Sequence, residues 1–244
     1  MTIKGGLTAL IAAAVIGASA NAASAADMSR PVYKAAPMAA PGFNWTGFYI
    51  GAVAGYAWGD ADVNPTGPLG LLVSPIRTEP DGWLAGGTIG YNFQQGNLVL
   101  GTEGEFYWSN LEGSAGSPIA AVPVTGTYSN NWTGTLSTRL GVAFDTLLVY
   151  SKAGVAWANN DYSVNAPGLV GGYSSSISDT ETGWLVGGGV EWAFARNWSA
   201  KIEGTYMDFG QKNKNFAPIA GTPITADIDA QISTVKFGIN YRFY

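Results

Sequence analysis

Apolar and polar residues alternate with a period of two along most of the chain from Thr46 to Phe243. That period is typical of β-strands whose two faces meet different environments. Eight segments have this pattern, and no segment after residue 26 is an apolar run long enough for a membrane-spanning helix. The predicted strands are 46–58, 83–94, 97–109, 131–144, 147–158, 183–195, 198–210 and 230–243.

The connections between these strands alternate strictly between short and long. Three are tight turns at Gln94–Asn97, Asp145–Thr146 and Ala195–Asn197. Four are long and rich in Gly, Ser and Pro, and we predict loops at roughly 59–82, 110–130, 159–182 and 211–229. This layout predicts an all-β protein, an eight-stranded antiparallel up-and-down transmembrane β-barrel with long outer loops and short periplasmic turns. The sheet must close on itself, because an open edge in hydrocarbon would leave backbone N–H and C=O groups unpaired.

Nine charged residues of the predicted strands fall on one parity. The other parity, set by the aromatic residues and followed as far as Tyr206 on strand 198–210, carries no acid or base. A charge facing lipid would cost about 2–4 kcal/mol at the middle of the bilayer, so the charged parity should face the lumen. A soluble lipocalin-like barrel predicts the reverse arrangement. The predicted lumen charge network consists of Glu103, Glu105, Arg139, Lys152, Glu191, Lys201, Glu203, Lys236 and Arg242.

Aromatic residues on the uncharged parity cluster at both ends of the strands, as in the two aromatic girdles of membrane barrels. Six tryptophans recur every 24 to 27 residues beside the long connections, and a second group lies toward the short turns. The predicted girdle residues are Trp58, Trp83, Trp108, Trp132, Trp157, Trp184, Phe93, Phe144, Phe194, Trp198, Tyr241 and Phe243.

The tight turns and paired tryptophans also predict neighbours within the network. Glu191 should lie opposite Lys201, and Glu103 diagonal to Arg139. Arg139 and Lys152 should be adjacent like charges, which requires an acid between them. Because eight strands enclose an interior that side chains can fill, and the lumen charges nearly balance, we predict a plugged lumen. An ion pathway is the alternative interpretation.

The N-terminus has the features of a secretory signal peptide, with Lys4 followed by a fourteen-residue apolar run and small residues. That run is shorter than the roughly 20 residues of a membrane-spanning helix. We therefore predict a signal peptide at 1–26, cleaved after Ala25 or Ala26. A proline-containing periplasmic linker at 27–44 and the barrel at 45–244 should follow.

Composition excludes several classes of function. Only 12% of residues are charged and 47% are hydrophobic, with 34 glycines, no cysteine and no histidine. Disulfides, Cys/His zinc sites and His-dependent catalytic triads are therefore ruled out. The formal net charge of −5 without a basic run argues against a nucleic-acid partner. We expect no catalytic residue, no cofactor and no metal site.

Several stretches resemble a known family, the small outer-membrane β-barrel proteins of alphaproteobacteria, also called porin-family or outer-membrane immunogenic proteins. The matching stretches are Trp45–Asp60, Gly86–Gln94, Gly101–Ser109, Leu136–Ala158, Gly183–Gly210 and Val235–Phe243. The resemblance implies a place in the Gram-negative cell outer membrane, in contact with its lipid and lipopolysaccharide, and a structural role without catalytic residues.

The C-terminus departs from the pattern of that family, whose members usually end at the aromatic residue of a Tyr-Arg-Phe motif that the barrel assembly machinery reads. Here Tyr244 follows Phe243. We take Phe243 as the assembly signal because it keeps the outward parity of the last strand. Separately, we expect the barrel to be a monomer.

The sequence therefore leaves three hypotheses: a structural barrel with surface contacts, a small-solute channel, and an adhesin or ligand-binding protein acting through its loops. An enzyme is disfavoured by the absence of histidine.

Overall fold

The protein is described here from a computed structural model, which covers residues 43–66, 76–119, 122–168, 172–219 and 222–243. The predicted signal peptide, the linker up to residue 42 and Tyr244 lie outside the described residues. The strands are β1 (Gly47–Thr66), β2 (Ile76–Thr78), β3 (Asp81–Gln95), β4 (Leu98–Ile119), β5 (Val122–Phe144), β6 (Leu147–Ala166), β7 (Tyr173–Ala193), β8 (Trp198–Ile219) and β9 (Thr222–Arg242). Within these ranges no helix is long and apolar enough to cross a membrane.

The strands form one closed antiparallel ring. Each long strand pairs with the next, and β1 pairs with β9 from Tyr49↔Arg242 onward. The short β2 and the long β3 both pair with β1, at successive stretches of its length. They therefore share one place in the ring, which has eight strands around it. This confirms the predicted eight-stranded barrel, and the three tight turns lie where they were predicted.

The prediction of four long loops is wrong for most of the residues that the structure describes there. The strands continue past the tryptophan girdle, and β4 and β5 remain paired as far as Ile119↔Val122. We call this part of the barrel the extension; its described strand residues are 59–66, 76–78, 81–82, 110–119, 122–130, 159–166, 173–182, 211–219 and 222–229. The 23 residues of β5 rise about 50 Å at a tilt of about 45°, roughly twice the apolar band of such barrels.

The outer surface changes character at the tryptophan girdle. Among the side chains that the structure describes, large exposed hydrophobic ones, from Phe48 to Phe243, occur only between the two girdles, and the outer wall of the extension carries polar and small residues. Ten predicted girdle residues are between 36% and 69% exposed, the extremes being Trp157 and Trp83. Trp132, stacked on Phe106, and Tyr241, packed on Trp198, are half-buried.

Two irregularities coincide with this boundary. The pairing of β5 skips Asn131 beside Trp132, and the pairing of β8 with β9 shifts between Asp208 and Gln211. Each bulge exchanges the faces of its strand, so that on β5 the even-numbered residues face outward below the bulge and inward above it. A single parity rule therefore holds only between the girdles.

Three apolar layers fill the interior. The first lies at the end of the short turns and contains Trp45, Val99, Ala143, Leu148, Tyr150 and Ala193. The second, at the height of the tryptophan girdle, contains Ala57, Leu84, Tyr107, Leu111, Ala156, Ala158, Leu185, Met207, Phe209 and Ile232. The third lies inside the extension and contains Ala61, Tyr128, Tyr162, Phe216, Ala226 and Ile228.

A charge on the outer face between the girdles should destabilise the barrel. Leu136 is 54% exposed there, so Leu136→Arg should lower the free energy of unfolding by about 2–4 kcal/mol in lipid. Urea titration of the protein in liposomes measures this. Thr127→Arg, on the outer wall of the extension on the same strand, should have little effect, and an equal loss at both positions would contradict the placement of the membrane.

Candidate functional site

All nine residues of the predicted charge network point into the ring, and none is more than 4% exposed. They lie between the first and second apolar layers. Alternation along each strand places them there, because successive side chains of a strand point to opposite faces of the sheet. Four acids and five bases are thereby enclosed together in a narrow lumen.

Three lysines and three glutamates form the centre of the network. Lys152 Nζ lies 3.1 Å from Glu103, 2.9 Å from Glu105 and 2.6 Å from Glu203. Lys201 contacts the same three carboxylates at 2.9, 3.1 and 3.7 Å. Lys236 adds contacts of 2.5 Å to Glu105 and 3.0 Å to Glu203. Each buried charge thus has several partners of opposite sign, which is what offsets the cost of removing it from water.

A second centre surrounds Glu191, nearer the short turns. Its carboxylate lies 2.7 Å from Arg139 and 3.8 Å from Arg242. It also accepts hydrogen bonds from Ser199 Oγ at 2.6 Å and Asn240 Nδ2 at 2.9 Å. Arg139 joins the two centres, because its Nη1 lies 3.4 Å from Glu103.

The strand register confirms the predicted neighbours. Glu191 is paired with Lys201 across β7 and β8. Trp108 is paired with Trp132, which sets Glu103 diagonal to Arg139. Arg139 and Lys152 are directly paired, with the Glu103 carboxylate between them at 3.4 and 3.1 Å.

Two tyrosines complete the network, and neither was among the residues predicted from the sequence. Tyr49 donates to Glu103 at 2.9 Å and accepts from Arg139 at 2.7 Å, while Tyr150 donates to Glu203 at 2.9 Å. The guanidinium of Arg139 lies 3.8 Å from the centre of the Tyr150 ring, a cation–π contact. Both tyrosines lie on the charged parity, and that signal could have found them.

Space for Tyr49 comes from a glycine on the neighbouring strand. A Cβ at Gly90 would lie 2.3 Å from the phenol oxygen of Tyr49, closer than any two such atoms can approach. Gly90 therefore makes the Tyr49–Glu103 hydrogen bond sterically possible.

The three central carboxylates could in principle hold a metal ion, since one oxygen of each lies within 4.8 Å of the others. Oxygen ligands suit hard cations such as Ca²⁺ and Mg²⁺. Here, however, three ammonium groups already contact the same oxygens. The arrangement is that of internally neutralised ion pairs, and it does not favour a bound cation.

The extension has a buried polar cluster of its own, in segments predicted to be loops. Lys214 Nζ lies 2.6 Å from Asp179 and 2.8 Å from Glu181. Glu181 also accepts hydrogen bonds from Asn160 and Tyr162. In the described part of both strands, backbone pairing of β7 with β8 stops at Trp184↔Asp208. Above that point the Lys214 ion pairs join the two strands; we call them the seam clasp.

The charges of the seam clasp support one another. The hydrogen bond from Lys214 lowers the pKa of the Asp179 carboxyl. Burial alone would lower the pKa of Lys214, but its hydrogen bonds to Asp179 and Glu181 outweigh burial and raise it. The clasp is therefore intact throughout the neutral range. The Asp179–Lys214 ion pair is lost as the pH falls through the lowered pKa of Asp179, and the whole clasp is lost as the pH rises through the raised pKa of Lys214.

One apolar cavity of about 50 Å³ lies within the described part of the extension. It is lined by Ala61, Val63, Thr78, Gly126, Thr127, Tyr128, Tyr162, Ser163, Val164, Phe216 and Ile228. An apolar cavity that binds benzene measures about 150 Å³, so this space is too small for such a ligand.

Comparison with known proteins gives both a family and a fold. The family model "Outer membrane protein beta-barrel domain" matches residues 10–243. The 31 kDa outer-membrane immunogenic protein of Brucella melitensis is 31% identical, over 97% of this chain and 100% of its own length. The 25 kDa outer-membrane immunogenic protein of Brucella abortus is 29% identical, over 96% of each chain.

Two solved structures share the fold at 10% sequence identity. The outer membrane protease OmpT of Escherichia coli aligns with a TM-score of 0.56, over 82% of this chain and 98% of its own. The outer membrane protein OprG of Pseudomonas aeruginosa aligns with a TM-score of 0.52, over 82% and 99%. At this identity the likeness concerns the fold alone.

Removal of one central charge should be costly. Glu103→Gln leaves Arg139, Lys152 and Lys201 without a shared anion, and we expect a loss of about 3–5 kcal/mol in the free energy of unfolding. Urea titration in liposomes measures the loss. Thr102→Ala, the neighbouring residue on the lipid face, should change stability by less than about 0.5 kcal/mol. Similar values for both variants would mean that the network contributes little.

Loss of the seam clasp should loosen the extension and spare the membrane part. Lys214→Met should accelerate amide hydrogen exchange in residues 173–183 at neutral pH, because the side chain that joins β7 to β8 is gone. Exchange in residues 184–193, which pair with β8, should not change. Lys212→Met on the same strand is the matched control, and an equal effect there would argue against a clasp.

Proposed function

Since this chain belongs to the outer membrane protein β-barrel family, we propose that it serves as a structural barrel whose lumen is plugged by the charge network. In this role it supports the integrity of the envelope and makes contacts at the cell surface. The outer membrane is its location, because its relatives are outer-membrane proteins and its fold is that of an outer-membrane barrel.

The observation that carries the proposal is the filling of the lumen. The charge network has apolar layers on both sides, and its largest side chains, Arg139 and Arg242, are at most 2% exposed. A water-filled channel would need a continuous polar path through the second apolar layer, where Leu111, Leu185 and Met207 are packed together. The interior thus supports a rigid plug over an open channel.

The extension supports the part of the proposal that concerns surface contacts. Its strands rise beyond the lipid band, and its described outer wall presents polar residues such as Asn64, Glu112 and Asn213. We propose that this wall meets the lipopolysaccharide headgroups, and we include lipid and lipopolysaccharide as proposed partners. Phe243, 47% exposed on the outer face, is available to the barrel assembly machinery. Pairing of β1 with β9 closes the ring within one chain, which supports the proposed monomer.

A channel and a loop-acting adhesin remain the competing functions. We propose a non-enzymatic role because the curated relatives are named immunogenic proteins and because the chain has no histidine. The protease OmpT shares only the fold with this chain.

Planar-bilayer recording of the purified protein tests the plug. The natural chain, folded as judged by heat-modifiable mobility on a denaturing gel, should give no stable, large open conductance. Arg139→Ala should leak, because it removes the side chain that joins the two centres of the network. Thr138→Ala, its neighbour on the lipid face, should remain closed. A large, stable conductance from the natural chain would refute the plug and favour the small-solute channel.

A further inference from the structure

The four residues before β1, Phe43–Thr46, fold across the mouth of the barrel at the periplasmic end; we call them the strap. Trp45 is fully buried there. Its indole Nε1 donates a hydrogen bond of 3.0 Å to the carbonyl oxygen of Asp145, and its backbone N–H donates one of 2.6 Å to Gln94 Oε1. The strap is therefore bound to two different turns, the β5–β6 turn and the β3–β4 turn.

Two further hydrogen bonds tie the strap to the same turns. The backbone N–H of Phe43 donates to Asp145 Oδ1 at 2.8 Å, and the N–H of Gln94 donates to Thr46 Oγ1 at 3.0 Å. All of these contacts come from turns and side chains. Strand pairing of β1 begins only at Gly47, so the strap could leave the mouth without breaking any pair of the barrel.

Gly47 has the geometry of a hinge at the end of the strap. Its φ of +140° lies in a region that side-chain-bearing residues rarely adopt. A Cβ at this position would lie 2.6 Å from the carbonyl oxygen of Phe243. Only glycine therefore allows the chain to turn from the wall of the barrel into its mouth here.

Arg242 connects the strap to the charge network. Its guanidinium carbon lies 4.4 Å from the centre of the Trp45 ring and 5.1 Å from that of Phe43. Its Nη1 donates to the carbonyl oxygen of Asn44 at 3.4 Å, and its Nη2 lies 3.8 Å from Glu191. Trp45 therefore covers the lowest cation of the network on the periplasmic side.

We infer that the strap is a lid over the periplasmic mouth of the barrel, with Trp45 as its latch and Gly47 as its hinge. The closed lid isolates the first apolar layer, including Val99, Ala143 and Leu148, from periplasmic water. It closes the lumen below the charge network. The inference therefore goes beyond the proposed plug and does not depend on whether the network blocks ions.

A cysteine reporter tests the lid on a clean background, because the natural chain has no cysteine. Ala143→Cys places a thiol in the first apolar layer, at a position that is 3% exposed. A charged methanethiosulfonate reagent applied to the full chain in detergent micelles should label it slowly. Adding Trp45→Ala should raise the labelling rate about a hundredfold, because truncation of a buried tryptophan shifts the equilibrium strongly toward the open form. Trp45→Phe, which keeps a ring but loses the bond to Asp145, should give an intermediate rate.

The controls separate lid opening from general loosening. Asn97→Cys, exposed in a turn beside Ala143, should be labelled rapidly in every background. Trp198→Ala removes an outward tryptophan at the same end of the barrel, and it should leave labelling of Ala143→Cys unchanged. Barrel formation is checked by heat-modifiable mobility.

A milder pair of variants keeps the test decisive if Trp45→Ala fails to fold. Asp145→Gly suits the positive φ of 55° at this position and removes only the tether to Phe43, so it should accelerate labelling. Asp145→Asn keeps an acceptor oxygen and should remain slow. Rates for Ala143→Cys that equal those of Asn97→Cys in the natural background, or that do not respond to Trp45 or Asp145 variants, would overturn the lid. A large, stable conductance of the natural chain would refute the plugged lumen but would not bear on the lid.

Discussion

A β-strand in hydrocarbon must be hydrogen-bonded along both edges, since lipid offers no partner to a free N–H or C=O group. The pairing of β1 with β9 meets this requirement and makes the sheet a ring. Because each strand alternates its side chains, a closed ring has one face for lipid and one for the lumen. Ring closure therefore determines where every charged and aromatic residue between the girdles can lie.

The small ring also dictates how the interior is filled. Eight strands leave room for side chains and not for a wide channel, so each charge placed inside must find a partner among its neighbours. The Lys152–Glu203 contact of 2.6 Å and the Arg139–Glu191 contact of 2.7 Å are examples. At the periplasmic end Trp45 also fills the lumen: its ring packs against Arg242 and covers the charge network.

The requirement that every strand edge be hydrogen-bonded weakens above the tryptophan girdle, where water replaces lipid. There β7 and β8 separate from their backbone pairing at Trp184↔Asp208, and the Lys214 ion pairs join them instead. An unpaired strand edge is tolerated in this region because water can bond to its N–H and C=O groups. The extension is thus held by side chains to a degree that the membrane part is not.

Between the girdles the sequence by itself determined the strand number, the short turns, the outward and inward faces, and even single pairs such as Glu191 with Lys201, because lipid imposes a strict period of two. It did not reveal the extension, whose outer face meets water and therefore carries Ser, Gly and polar residues in place of the outward apolar face of the membrane part. Only the tertiary structure decided that these segments remain strands, that Tyr49 and Tyr150 join the charges, and that Trp45 folds under Arg242. Those outcomes depend on contacts between residues far apart in the chain, such as the hydrogen bond from Trp45 to Asp145, which no local pattern encodes.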